Sequence, residues 1–300
     1  VLTQNTRDLF DPSDDDAPIL IPRPPVATQR PYYDAESDKS AQARYYQDFE
    51  LAPEGQEAFK QLHLLSSQKH TQHLKYDPNK YLYPWVDIRP NQQLASIYSP
   101  DSVTEISSAK QAAIDLKVAE LGGLAAFSPE TIANQIGIIV GQSRLNCEHV
   151  VPQSWYSSAE PMRGDLHHLF ACESRCNSFR GSRPLRDSKP TNADADQVTK
   201  CGIRTDNDKG FSPMAGRGAV ARATLYFLVR YPKKAKSYTE ADIKDLIRWH
   251  EKEPPSLYEK HRNAAIEELQ GNRNPFIDRP EWARKVDFSA GLRKPRAAQS

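Results

Sequence analysis

Apolar positions recur with a helical period in several stretches of the chain. Phe59, Leu62 and Leu65 are spaced three apart from about Ala58 onward and predict a helix, with Asp77-Pro-Asn marking a turn after it. Tyr83 to Tyr98 reads as a segment containing strand. Ser128-Pro129-Glu130 predicts a helix start, because serine caps free amides and proline tolerates the first helical position; that helix should end before the Asn146 region. Further on, Val220, Ala223, Thr224, Phe227 and Leu228 gather on one face of a helix over 218–230, which Pro232 ends. Thr239 should cap the next, where Ile243, Leu246, Ile247 and His250 keep helical spacing up to Pro254-Pro255. Ser256 opens another that Gly271 can terminate. No internal repeat is visible. The pattern predicts an α+β fold, with one irregular central block embedded in a mostly helical single domain.

The first stretch breaks this rhythm. An acidic cluster, Asp14 to Asp16, and the proline-rich run from Ile21 to Pro25 predict an extended, flexible arm over 1–57, ahead of a globular domain over 58–290 and a tail over 291–300. The Val1 start lacks the charged and apolar regions of a signal peptide and reads as that of a mature or trimmed product. No run approaches the roughly 18 apolar residues of a membrane span, so no membrane partner is expected.

Hydrophobic residues make up 38% of the chain, enough for an ordinary core, and the net charge of +1 identifies no partner. The distribution of charge says more. Residues 1–60 hold 6 Lys/Arg against 12 Asp/Glu, whereas 163–235 hold 14 against 7. The second stretch is a candidate polyanion-binding surface, with a solvated mixed-charge face as the plainer alternative.

The chemistry concentrates between Arg144 and Pro184, where carboxylates, imidazoles, an amide and arginines crowd together. Phosphodiester hydrolysis needs a base to activate water, a cation to neutralise developing charge, and positive groups to hold the backbone. Mg²⁺ prefers oxygen ligands and retains water and substrate oxygens, so one carboxylate and one amide suffice from the protein; Glu148 and Asn177 fit that need. His149 follows Glu148 directly. An ordinary histidine is largely neutral at physiological pH and can accept a proton from water. Neighbours on a strand face opposite ways, so both serve one site only if the strand bends or ends there, as Pro152 suggests. A lone Glu-His pair is more often surface decoration.

The wider pattern is more specific. Asn146-Cys-Glu-His-Val-Val-Pro-Gln-Ser-Trp155, Asp165-Leu-His-His-Leu169 and Asn177-Ser-Phe-Arg-Gly181 resemble, in order, the motifs of the endonuclease I family of ββα-metal (His-Me finger) nucleases. The resemblance continues through Gly218-Ala-Val-Ala-Arg-Ala223, Arg248-Trp-His250, Arg262-Asn263 and Gln270-Gly-Asn-Arg-Asn-Pro-Phe276, and fades upstream of about residue 58. It implies a sequence-tolerant endonuclease acting on DNA and also RNA, leaving 5′-phosphate ends. His149 would be the general base and Glu148 and Asn177 would hold Mg²⁺, with Mn²⁺ or Ca²⁺ as alternatives. The implied architecture is two antiparallel strands, one carrying His149 and the other 165–169, followed by a short helix carrying Asn177.

Arg163, Arg180 and Arg183 are candidate phosphate contacts, although Arg180 could instead brace the Asn177 helix. His167 or His168 could support the site from behind, with buried packing expected for at least one. One departure from the family pattern is Ala171-Cys172, where many members carry a proline. Cys147, Cys172, Cys176 and Cys201 all crowd around the block. Disulfides Cys147–Cys172 and Cys176–Cys201 are expected, with a four-cysteine structural Zn²⁺ as the alternative. Disulfides would favour a secreted or periplasmic location. No protein partner is implied. The rival functions are a catalytically inactive nucleic-acid-binding protein and a structural zinc module.

Overall fold

A computed structural model describes residues 31–91, 93–99, 145–188, 198–205 and 209–293. The expected helix start at Ser128 lies outside them.

The central helix is α5 (Arg217–Arg230), whose positions from Gly218 to Val229 are all buried. It packs against α2 (Gly55–Lys69) and α6 (Glu240–Lys252), and with them forms the larger of two apolar cores. α7 (Leu257–Gln270) and the short α8 (Pro275–Asp278) complete the helical body. The predicted caps are present. Thr239 and Ser256 each close a capping box with the acid three residues on, Asp242 and Glu259, satisfying amides that the first helical turn leaves unbonded. Gly271 ends α7 at φ 85°, a left-handed conformation that favours glycine.

Against this body lies a two-stranded antiparallel sheet, β1 (Leu145–His149) and β2 (Leu169–Glu173), followed directly by α4 (Ser174–Arg180). The register pairs Glu148 with Phe170 and His149 with Leu169. Residues opposite one another share a face, so the ribbon has two distinct sides. Leu145, Cys147, Leu169 and Ala171 join the smaller core with Leu82, Val86 and Ile266, whereas Phe170 and Cys172 join the larger. A second sheet, β3 (Val198–Thr199), β4 (Gly202–Arg204) and β5 (Phe211–Pro213), lies beside α4.

Three expectations are corrected. Residues 31–57 are not an extended arm where they are described. α1 (Ala35–Tyr45) is capped by Asp34, and its Asp38 is buried in an ion pair with Arg273 at 2.8 Å. Asp38 faces a basic partner far along the chain, a pairing that local composition does not reveal. Secondly, 83–98 forms no strand among its described residues: Pro78–Tyr81 is a short helix, α3, that widens into a π turn at Leu82–Val86. Thirdly, 166–168 is a 3₁₀ turn begun by Asp165, and β2 starts only at Leu169. Among the described residues no helix is long and apolar enough to cross a membrane.

Candidate active site

β1 ends at His149. The chain bends at Val150 and Val151 and enters a 3₁₀ turn at Gln153–Tyr156, two residues nearer the site than Pro152 alone suggests. Glu148 and His149 therefore sit at the last rungs of the ribbon and leave it on opposite sides.

On the Glu148 side, the carboxylate is buried, and both of its hydrogen bonds fall on one oxygen. Tyr98 donates its hydroxyl to Oε1 at 2.6 Å, and Arg180 donates Nη1 to the same atom. Among the described residues no hydrogen bond reaches Oε2. Burial raises the carboxyl's pKa, while Arg180 and Tyr98 work against that rise. Asn177, on α4, donates Nδ2 to Asn146 Oδ1 at 2.8 Å and to the Cys147 carbonyl at 3.2 Å, so its amide nitrogen is anchored to β1. Its Oδ1 accepts no hydrogen bond from the described residues. Asn177 and Arg180 stand one helical turn apart and both reach β1, which ties the two candidate ligands together through α4.

Arg180 is placed as a brace and not as a phosphate contact. It is 1% exposed, and its donors are spent internally: Nε on the Arg183 carbonyl at 3.0 Å, Nη1 on the His149 carbonyl at 2.9 Å, and Nη2 on the Val150 carbonyl at 2.6 Å.

On the other side, His149 Nε2 lies 3.1 Å from the Arg163 carbonyl oxygen. A carbonyl only accepts, so Nε2 carries the proton and Nδ1 carries the free lone pair. The ring is buried beside His168, with centroids 5.6 Å apart, and Tyr76 at 5.0 Å. Burial foremost, then the neighbouring His168 and the Arg163 and Arg180 charges, hold its pKa down at about 3 against the pull of the Arg163 carbonyl. It is neutral throughout the physiological range. Arg163 stacks its guanidinium over Tyr76 at 4.6 Å, and its buried Nε has no partner among the described residues. Arg183 is half-buried at the end of α4.

A polar network supports the turn before β2. Asp165 accepts from Tyr226 at 2.8 Å, Tyr231 at 2.9 Å and Gln270 at 3.1 Å. His168 Nε2 meets the Met162 carbonyl at 2.6 Å and presents its ring to His149; His167 instead turns away toward the Asn272 carbonyl at 3.1 Å. Only His168 thus supports His149 directly. Arg262 bonds the Leu166 and Leu169 carbonyls at 3.0 and 2.7 Å and pairs with buried Asp87. The motif residues Arg262, Gln270 and Asn272 therefore hold the turn that sets β2 against β1. Gly164 has a packing reason: a Cβ there would lie 2.1 Å from the Leu74 carbonyl, closing off the loop that carries Tyr76.

Of the two expected disulfides, Cys176–Cys201 is present, tying α4 to the β3–β4 turn. Cys147–Cys172 is not. Cys147 pairs with Ala171, and Cys172 with Asn146, so the two thiols project from opposite faces of the ribbon and both are free. The same geometry leaves no four-cysteine zinc site. Burial raises both thiol pKa values far above the ordinary range, so both stay protonated at neutral pH.

Sequence reading missed Tyr98 and Tyr76. They lie 50 and 73 positions before Glu148 and His149, outside every quoted motif, and no local spacing links them to the block.

What the site offers is a carboxylate oxygen and an amide oxygen that take no hydrogen bond from the described residues, and a neutral imidazole whose Nδ1 keeps its lone pair. The donor set is oxygen only, which fits Mg²⁺, Mn²⁺ or Ca²⁺ and not a soft metal. The chain belongs to the endonuclease I family, whose sequence model matches residues 60–281. It is similar to an extracellular ribonuclease of Bacillus amyloliquefaciens, 31% identical over 159 residues that cover 47% of this chain and 53% of the relative. It is also similar to a periplasmic deoxyribonuclease of Aeromonas hydrophila, 32% identical over 158 residues covering 46% and 64%, and to an extracellular deoxyribonuclease of the same organism at 30%, covering 46% and 66%. The chain thus spans between about half and two thirds of these relatives' length.

Proposed function

We propose that this chain is a sequence-tolerant, divalent-metal-dependent endonuclease that hydrolyses phosphodiesters of DNA and RNA to 5′-phosphate ends, on a ββα-metal (His-Me finger) core formed by β1, β2 and α4. One observation carries the reading. In Glu148, His149 and Asn177 alike, one polar atom is tied to the protein and the other takes no hydrogen bond from the described residues: Oε2, Nδ1 and Oδ1. A cation bound at Glu148 and Asn177 would supply positive charge to the developing phosphorane and the departing oxygen.

His149 Nδ1 takes a proton from the attacking water, and the Nε2 bond to the Arg163 carbonyl keeps that nitrogen unprotonated beforehand. The imidazolium so formed is stabilised as it develops by the phosphate it faces. Arg163 and Arg183 hold phosphate oxygens, with no base reading, which accounts for cleavage tolerant of sequence. Names of relatives that include both ribonuclease and deoxyribonuclease support action on both polymers, and their extracellular and periplasmic names, with the Cys176–Cys201 bridge, support a secreted or periplasmic location.

Incubation with supercoiled plasmid and with structured RNA, in Mg²⁺ and in EDTA, tests the reading. Both polymers should be cut only with metal. His149→Ala should lower the rate by about 10²- to 10⁴-fold while binding DNA as the parent does. A parent protein that binds both polymers and cuts neither would instead be the inactive binding protein.

A further inference from the structure

We propose that Tyr98 and Arg180 are positioning residues that fix the Glu148 carboxylate so that Oε2, and not Oε1, is presented to a divalent cation. This rests on the reading of Glu148 as a cation ligand.

The plainer alternative is that Glu148 and Arg180 form an ordinary buried ion pair. The same protein shows what its structural pairs look like. Arg222 meets Glu259 fork to fork, Nε to Oε1 at 2.6 Å and Nη2 to Oε2 at 2.9 Å, and Oε2 also accepts from the Ser256 amide at 3.1 Å. Arg273 grips Asp278 likewise, Nε to Oδ2 at 2.8 Å and Nη2 to Oδ1 at 2.8 Å. Both carboxylate oxygens are occupied in each, which is the stable geometry for a buried pair.

Glu148 departs from this pattern. Arg180 sends only Nη1 to it and spends Nη2 and Nε on the Val150 and Arg183 carbonyls. The second donor, Tyr98, is fully buried, and its hydroxyl converges on the same Oε1. Two donors on one oxygen restrain the carboxylate's rotation and leave the other oxygen with no hydrogen bond from the described residues. Arg180 also holds the His149 carbonyl and shares α4 with Asn177. One guanidinium therefore sets the base's backbone, the acid's orientation and the turn of helix that carries the amide. Tyr98 arrives from a segment fixed beside β2 by Ile97 N–H to the Ala171 carbonyl at 3.0 Å and Glu173 N–H to Ser96 Oγ at 3.1 Å, so its hydroxyl is not free to wander.

The test is Mn²⁺ binding to the whole chain by titration calorimetry, without nucleic acid, for Tyr98→Phe, Arg180→Lys, Glu148→Gln and Arg222→Lys. Tyr98→Phe keeps the ring and its packing against Phe211. Expected are a fivefold or greater loss of Mn²⁺ affinity in Tyr98→Phe and in Arg180→Lys, with metal-free DNA affinity within twofold of the parent. Arg222→Lys should lower the unfolding temperature and leave Mn²⁺ affinity alone, as a merely structural pair would. Should Arg180→Lys fail to fold, Tyr98→Phe decides. If Glu148→Gln loses Mn²⁺ while Tyr98→Phe binds it like the parent, the positioning role is wrong and the ligand reading stands. If Glu148→Gln binds Mn²⁺ like the parent, the ligand reading itself has failed, and this inference with it.

Discussion

Acid should destabilise this protein well above the range in which carboxylates titrate. His149 and His167 are buried and neutral, with pKa values lowered by burial above all to about 3 and about 4. An unfolded histidine titrates near 6.5, so between pH 6.5 and about 4 the unfolded chain binds protons that the folded chain refuses, and stability falls as pH falls. At pH 5 each ring contributes about 2 kcal/mol of loss relative to pH 7, or about 4 kcal/mol together, from the 1.5-unit gap below the unfolded value. That is a large part of the 5 to 15 kcal/mol typical of a folded domain. His70, His168 and His250 are shifted the same way and add to the loss, while Glu148, shifted upward, offsets part of it. Urea unfolding at pH 7 and pH 5, in EDTA, measures the difference. His167→Gln should unfold with a pH dependence smaller by about 2 kcal/mol, whatever its stability at pH 7, because only the proton-linked part is removed. A variant whose loss between pH 7 and 5 equals the parent's would show that His167 is not held neutral, and the argument from burial would fall.

Other outcomes follow from the same contacts. Cys201→Ser opens a bridge between positions 25 apart, and loop closure of that length stabilises by about 3 to 4 kcal/mol, so the urea midpoint should fall without reductant. Non-reducing mass spectrometry of the parent should find one disulfide and two free thiols; two disulfides would contradict the opposed faces of Cys147 and Cys172. Asp38→Ala leaves fully buried Arg273 with one fewer acidic partner and should lower stability by about 1 to 3 kcal/mol in the same assay, whereas an arm that does not pack would show no change. Arg163→Ala should weaken DNA binding similarly for all sequences and reduce the slope of log affinity against log salt by about 1, and an unchanged slope would remove Arg163 from the phosphate contacts.

How much of this was legible in the sequence depended on distance along the chain. Helices whose apolar period and caps lie within one segment were readable, as Thr239, Ser256 and Gly271 show, because capping chemistry acts over three or four residues. α1 was missed for the opposite reason: its burial depends on Arg273, 235 positions from Asp38, and its own sequence is polar. The same limit governs the site. Glu148, His149 and Asn177 sit in one recognisable block, whereas the tyrosines that orient or flank them come from elsewhere.

The cysteines mark the limit from another direction. All four lie close in sequence to the block, which suggests pairing, yet in a strand ribbon the deciding quantity is parity and not proximity. Cys147 and Cys172 are one step out of register, Cys147 opposite Ala171 and Cys172 opposite Asn146, so they face different cores. Parity also separates Glu148 from His149, and there the separation is useful. A carboxylate on one face accepts from Tyr98 and Arg180, and an imidazole on the other donates Nε2–H to the Arg163 carbonyl, so neither neutralises the other. Had they shared a face, the ring and the carboxylate could have bonded directly, occupying the lone pair and the oxygen that the proposed hydrolysis uses. Ending β1 at His149 leaves both at the last rungs of the ribbon, next to the bend at Val150 and Val151.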